Sequence, residues 1–255
     1  MKMKKNLYSS ATLIVFALLF PACATQERIT TRTPIVIPDF DFSPPSSAAP
    51  GSAGLKIALF DPIYPEDFVY SNKSPFKQFR SSMGNDLEEI LTARGYILKG
   101  PYEQYDLMTY SDKTECELGL SADIKLNIDQ TSGGWTYIPM GSDGKQTVSE
   151  YEGTLTLSGK ITLYISETFT KQKLIVKSLP IPQIDLAVKG ESYYSGIQKD
   201  IPLYDPGVHN TIANAMKEFY QSTMKRAWDL LPKEDLIRAK DQVPQIRKEA
   251  GFIKD

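Results

Sequence analysis

The chain has 255 residues, of which 41% are hydrophobic, and its 29 basic and 31 acidic side chains leave a formal net charge of −2. That balance supplies no basic excess for a phosphate backbone to recognise, so a nucleic-acid partner is not expected. The one histidine, His209, stands in the first turn of the last predicted helix, and a metal site built from several imidazoles is out of reach.

The chain opens with Lys2, Lys4 and Lys5, continues with the apolar run ATLIVFALLF from Ala11 to Phe20, and places the small residue Ala22 directly before Cys23. These are the three parts of a secretory signal. Ten apolar positions fall short of the about twenty helical residues that cross a hydrocarbon core of roughly 30 Å, so residues 1–22 are expected to be cut away. A small residue followed by cysteine resembles the lipobox of bacterial lipoproteins, here with Phe20 where Leu is usual and with Pro21 beside it. The resemblance implies that Cys23 takes a diacylglycerol, becomes the first residue of the mature chain and, with palmitate among its acyl chains, holds it to the membrane; the alternative is a plain cleaved signal. No Asp directly follows Cys23, which in some bacteria lets a lipoprotein move to the outer membrane. With Cys23 acylated, Cys116 has no disulfide partner and is expected to be a small, half-buried apolar residue.

From Ala24 to Gly54 the chain is rich in Ser and Ala, with prolines at 34, 38, 44, 45 and 50. Such a composition buries too little apolar surface to offset chain entropy, so residues 23–54 are expected to be the lipidated cysteine and a flexible tether. Within it, TPIVIPDFDF is the one stretch able to add an edge strand or dock on a partner. Residues 55–255 are enough for a single domain with its own core.

In that domain LKIALFD (55–61) is a strand buried on both faces. Ser74 and Pro75 read as N-cap and first residue of a helix in which Phe76, Phe79, Met83, Leu87, Ile90 and Leu91 share an arc of about 120°, and Gly95 ends it. YILKG (96–100) then gives strand, helix, strand, for which a parallel pair is the normal solution. Residues 103–116 are ambiguous, with a short helix favoured. LGLSADIKLNIDQ alternates as a half-buried strand; after a loop holding Gly133, Gly134 and an Asp143-Gly144 turn, YEGTLTLSGKITLYI alternates again, which predicts a long antiparallel hairpin. Pro180 and Pro182 confine LIVKSLPIPQIDLAV to an edge or a bulge. A helix capped by Asp205 spans about 206–231, with Trp228 packed under one or two shorter helices around Pro244. The fold class is therefore α+β: a mixed, largely antiparallel sheet with an N-terminal β-α-β unit, a long central hairpin and C-terminal helices on one face.

The segments NDLEEILTARGYIL, LGLSADIKLNID and IANAMKEFYQSTMKRAWDLLPKEDLIRAKDQ, in that order behind a lipobox-like start, resemble the neuraminyllactose-binding haemagglutinin lipoproteins. The architecture is also similar to that of small envelope lipoproteins that activate peptidoglycan synthases. The first resemblance implies an adhesin-like surface or outer-membrane lipoprotein associated with sialylated glycans, although the basic run of that family's sialic-acid motif has no counterpart here. The second implies a periplasm-facing scaffold or activator that docks on another envelope protein.

No HExxH, GxSxG or GxxxxGK[ST] occurs. Asp39 and Asp41 fall in the tether, while Glu150 and Glu152 are expected on the solvent face of a strand. A non-enzyme without cofactor or metal is expected. The candidate contacts for a ligand or partner are aromatic: Trp135 and Tyr137 in the Gly-rich loop, and Tyr193 and Tyr194 in the loop before the last helix, where flat faces can stack on a sugar or receive an apolar anchor. Capping the core is the other use for such side chains.

Overall fold

A computed structural model describes residues 33–140, 146–192 and 201–252, without the side chains of 139–148 and 191–192. The signal segment, Cys23, the Asp143-Gly144 turn, Tyr193 and Tyr194 lie outside the described residues. The chain divides into two units at Arg32/Thr33.

Five strands form one sheet in the order β2-β1-β3-β4-β5. β1 (Lys56–Phe60), α1 (Phe76–Ala93) and β2 (Ile97–Tyr102) make the expected β-α-β unit, β1 and β2 being parallel. β1 also pairs in parallel with the start of β3 (Leu118–Met140), and β3, β4 (Gln146–Glu167) and β5 (Lys173–Ser192) run antiparallel. Both faces of β1 are covered: Ile57 and Leu59 point into the main core, while Ala58 and Phe60 join Met108 and Cys116 in a smaller one. The smaller cluster lies under a 3-10 turn (Tyr105–Leu107) and α2 (Tyr110–Glu115), whose start is fixed by a capping box between Thr109 and Asp112.

The main core lies between the sheet and two long helices. Phe76, Phe79, Met83, Leu87, Ile90 and Leu91 of α1 are all buried, and Gly95 at φ +82° ends the helix in the left-handed conformation. α3 (Pro206–Leu230) is capped by Asp205, which accepts from Gly207 N and Val208 N. α4 (Lys233–Lys240) and α5 (Val243–Glu249) follow. Trp228 is buried, and the contact seen on its ring is the Arg94 guanidinium at 3.7 Å. β5 is the sheet edge, where Pro180 and Pro182 cost no ladder bond on the outer side.

Three expectations need correction. First, residues 33–54 are no free tether: Phe40 and Phe42 are buried, Phe40 against Phe79 and Tyr220, and Gln221 donates to Asp41 O. Ala48 N and Ala53 N bond to Ala93 O and Gly95 O. The segment is a strap over α1 and α3, because two phenylalanines bury enough apolar surface to offset the entropy that its prolines and serines alone would not. Second, Ser74 does not cap α1; its hydroxyl pairs with His209 Nε2 at 2.9 Å. Third, Cys116 is fully buried, and that burial pushes its thiol up to about 11.

Candidate functional site

Gly133 and Gly134 do not form a loop. β3 runs through them to Met140, and with β4 and β5 it makes a three-stranded arm extending past the end of β1. Two features permit this. The ladder shifts by one residue between Gln130 and Ser132, a bulge that moves the inward face from the even to the odd positions. Gly133 takes φ +77° where the strands come so close that a Cβ would lie 2.1 Å from Glu152 O.

Gln130 before the shift, and Trp135 and Tyr137 after it, thus lie on the same, helical side of the sheet. Trp135 stands opposite Tyr151, edge to face with ring centroids 5.2 Å apart, and Tyr137 stands opposite Ser149. Tyr151 is buried and donates to Gln130 Oε1 at 3.0 Å, and Gln130 Nε2 donates to Gly133 O at 2.7 Å. Burial, and after it the nearby Tyr70, raises the Tyr151 phenol above its ordinary value. Trp135 is half-buried, so it meets the core-capping expectation on one side; Tyr137 is 41% exposed. Two donors here are buried and have no partner among the described residues: Trp135 Nε1 and Ser149 Oγ.

A second aromatic group, which was not expected, reaches this site through Tyr70, the neighbour of Tyr151. The loop between β1 and α1 carries Tyr64, Phe68 and Tyr70: Tyr64 stacks on Phe68, while Phe68 and Tyr70 meet each other and Phe76 at an angle, all at centroid distances of 4.8 to 5.9 Å. Lys73 Nζ lies 5.5 Å above the Tyr70 ring. The signal was present in the density of aromatics in IYPEDFVYSNKSPF, four in fourteen residues.

The other candidate groups do not assemble into a reaction centre. His209 is buried, and both ring nitrogens are engaged. Asn210 Oδ1, oriented by its bond from Val36 N, can only accept, so Nδ1 donates to it and Nε2 accepts from Ser74. Glu152 pairs with Lys189 on the surface, and Glu150 is exposed. Asp39 and Asp41 are exposed on the strap. Among the described residues no group of three or more His, Cys, Asp or Glu could hold a metal ion, and no helix is long and apolar enough to cross a membrane. A groove of about 640 Å³ beneath the strap is walled by Ser46, Ser47, Asn85, Glu88, Glu89 and Thr92, with neither an aromatic ring nor a cation.

No family model matches the sequence, and no curated protein matches it either. Solved structures do. A neuraminyllactose-binding hemagglutinin homolog from Helicobacter pylori superposes with a TM-score of 0.56 at 14% identity, over 82% of this chain and 100% of that one. A minor lipoprotein from Acinetobacter baumannii covers 69% of this chain and 95% of its own at 13% identity, with a TM-score of 0.26. At such identities the first likeness shows a shared fold, and the second carries no argument.

Proposed function

We propose that this chain is an exported cell-envelope lipoprotein held to the membrane through acylated Cys23, and that its domain is a non-catalytic, adhesin-like binding module working from the root of the β-arm. The observation that carries the reading is the open aromatic surface at the root of the arm. Tyr137 is 41% exposed, and half-buried Trp135, two residues before it on the same face, meets Tyr151 edge to face. Sugars bring a face that stacks on rings. The name of the Helicobacter pylori structure supports a sialylated glycan. The absence of Asp after Cys23 supports the outer membrane.

The test is saturation-transfer NMR on the unacylated chain (residues 23–255, Cys23→Ser) with sialyllactose, and neutral lactose as control. Transfer to the sialylated sugar alone is expected; equal transfer to both, or none, removes the sialylated-glycan reading. Acylation is read separately: labelled palmitate enters the wild type and not Cys23→Ser.

One observation favours a second reading, a periplasm-facing scaffold or activator without glycan binding. Beyond the bridge of Ile63 to Asp123, the outer edge of β3 has no strand neighbour among the described residues. An open edge receives an extended peptide by strand addition. In-cell cross-linking from Thr136 to one envelope protein, with protection of the domain from protease added outside, would establish it over the first.

A further inference from the structure

Ile35, Val36 and Ile37 stand out from the surface, 41%, 58% and 64% exposed, yet their backbone is clasped. Asn210 accepts from Val36 N at 2.9 Å and donates to Pro34 O at 3.0 Å, the two bonds a neighbouring strand would make. A few residues on, Phe40 and Phe42 are sunk in the core. Isolated exposed apolar residues need no explanation, but three in succession, ordered and facing outward, form a ridge with a use.

Its place indicates what covers it. Asn210 lies near the N-terminal end of α3, and so does Tyr204, which is 48% exposed and precedes the cap Asp205. Lys73 is brought there by the bond between its neighbour Ser74 and His209. Twelve residues separate Cys23 from Ile35, a span of at most about 43 Å when fully extended. The 25 residues of α3 put its other end, followed by α4 and α5, about 38 Å away. Thr33, the first described residue, lies two positions before Ile35, so the aliphatic ridge sits where the chain enters the domain.

We propose that Ile35, Val36 and Ile37 form a second membrane contact. The ridge enters the boundary between headgroups and acyl chains beside the anchor, Tyr204 lies at headgroup level and Lys73 faces the phosphates, so the domain is held with the N-terminal end of α3 toward the bilayer. This rests on the reading of Cys23 as a lipid anchor. Three aliphatic side chains bind a membrane weakly by themselves, but an anchor already supplies the high local concentration, and the ridge has only to select an orientation.

The experiment places a benzophenone amino acid at position 36 of the full chain, irradiates intact cells that export it, and analyses the adducts by mass spectrometry. A phospholipid adduct is expected, with a yield roughly tenfold above that of the same probe at Glu249 in α5. With the probe at position 204, the triple change Ile35→Ser, Val36→Ser, Ile37→Ser should abolish the lipid adduct. It should leave the melting temperature unchanged, since the clasp uses the backbone of Val36. Palmitate labelling of the same cells reads the anchor independently: a lipid adduct without palmitate overturns the anchor and keeps the ridge. No phospholipid adduct at position 36, one no stronger than at 249, or an adduct to a protein overturns the ridge whatever the palmitate result.

Discussion

Asp86 is 3% exposed and ties three parts of the molecule together: it lies on α1, accepts from Tyr220 Oη of α3 at 2.5 Å, and accepts from the backbone of Phe42 in the strap. Burial raises its pKa to about 6; the Tyr220 bond opposes this, Asp41 and Glu89 add to it, and the Phe42 bond opposes it. A carboxyl raised above its unfolded value contributes stability that is complete below about pH 4 and is lost as pH rises through 6, on the order of 2–3 kcal/mol. Urea midpoints should therefore be higher at pH 5 than at pH 7.5, and Asp86→Asn should flatten that slope; an equal slope in both proteins would refute the assignment. Glu167 has the opposite sign. Burial pushes it up, but the N–H groups of Thr170 and Phe169, Arg247 and the Thr170 hydroxyl together bring it below the ordinary value. Its contribution is present at neutral pH and is lost as acid protonates it, below the window where Asp86 titrates. Arg247 Nε meets Glu167 Oε1 at 2.7 Å, and its Nη2 bonds to Lys113 O and Thr168 Oγ1. Arg247→Met strands a buried carboxylate and should cost about 3–5 kcal/mol in denaturant unfolding at pH 7.

At the scale of elements, the strap is the least expected part of the molecule. Phe40→Ala should cost about 3–5 kcal/mol by opening a cavity between Phe79 and Tyr220. Limited proteolysis should then cut between residues 33 and 54 well before it cuts the sheet; unchanged resistance would mean that the strap is held by its hydrogen bonds alone. The strands and helices were legible because their apolar residues repeat at the period of the element: Leu118 to Leu126 at two, Phe76 to Leu91 at about 3.6. The strap has no period, only two phenylalanines among prolines, and composition averages them away. Gly133-Gly134 read as a loop for a related reason. Glycine marks a backbone position that other residues cannot adopt, and a bulged crossing of two strands needs that as much as a turn does. Of the candidate contacts, Trp135 and Tyr137 were legible as aromatics but not as a facing pair with Tyr151 and Ser149, since that pairing depends on a one-residue shift in register.

For the molecule as a whole, an exposed aromatic can be removed without touching the core. Tyr137→Ala should abolish saturation transfer from sialyllactose while shifting the melting temperature by no more than about 2 °C; loss of both together would make Tyr137 a packing residue. The two flanks of the arm also differ in kind. The outer flank of β5 carries Pro180 and Pro182 and is studded with Lys173, Lys177 and Lys189. The outer flank of β3 from Gln130 to Ile138 carries no charge and no proline. Only one flank can therefore join a like strand. Two copies meeting through β3 would use up both of these flanks and leave proline and lysine outermost on the arm, so strand addition there would stop at a pair.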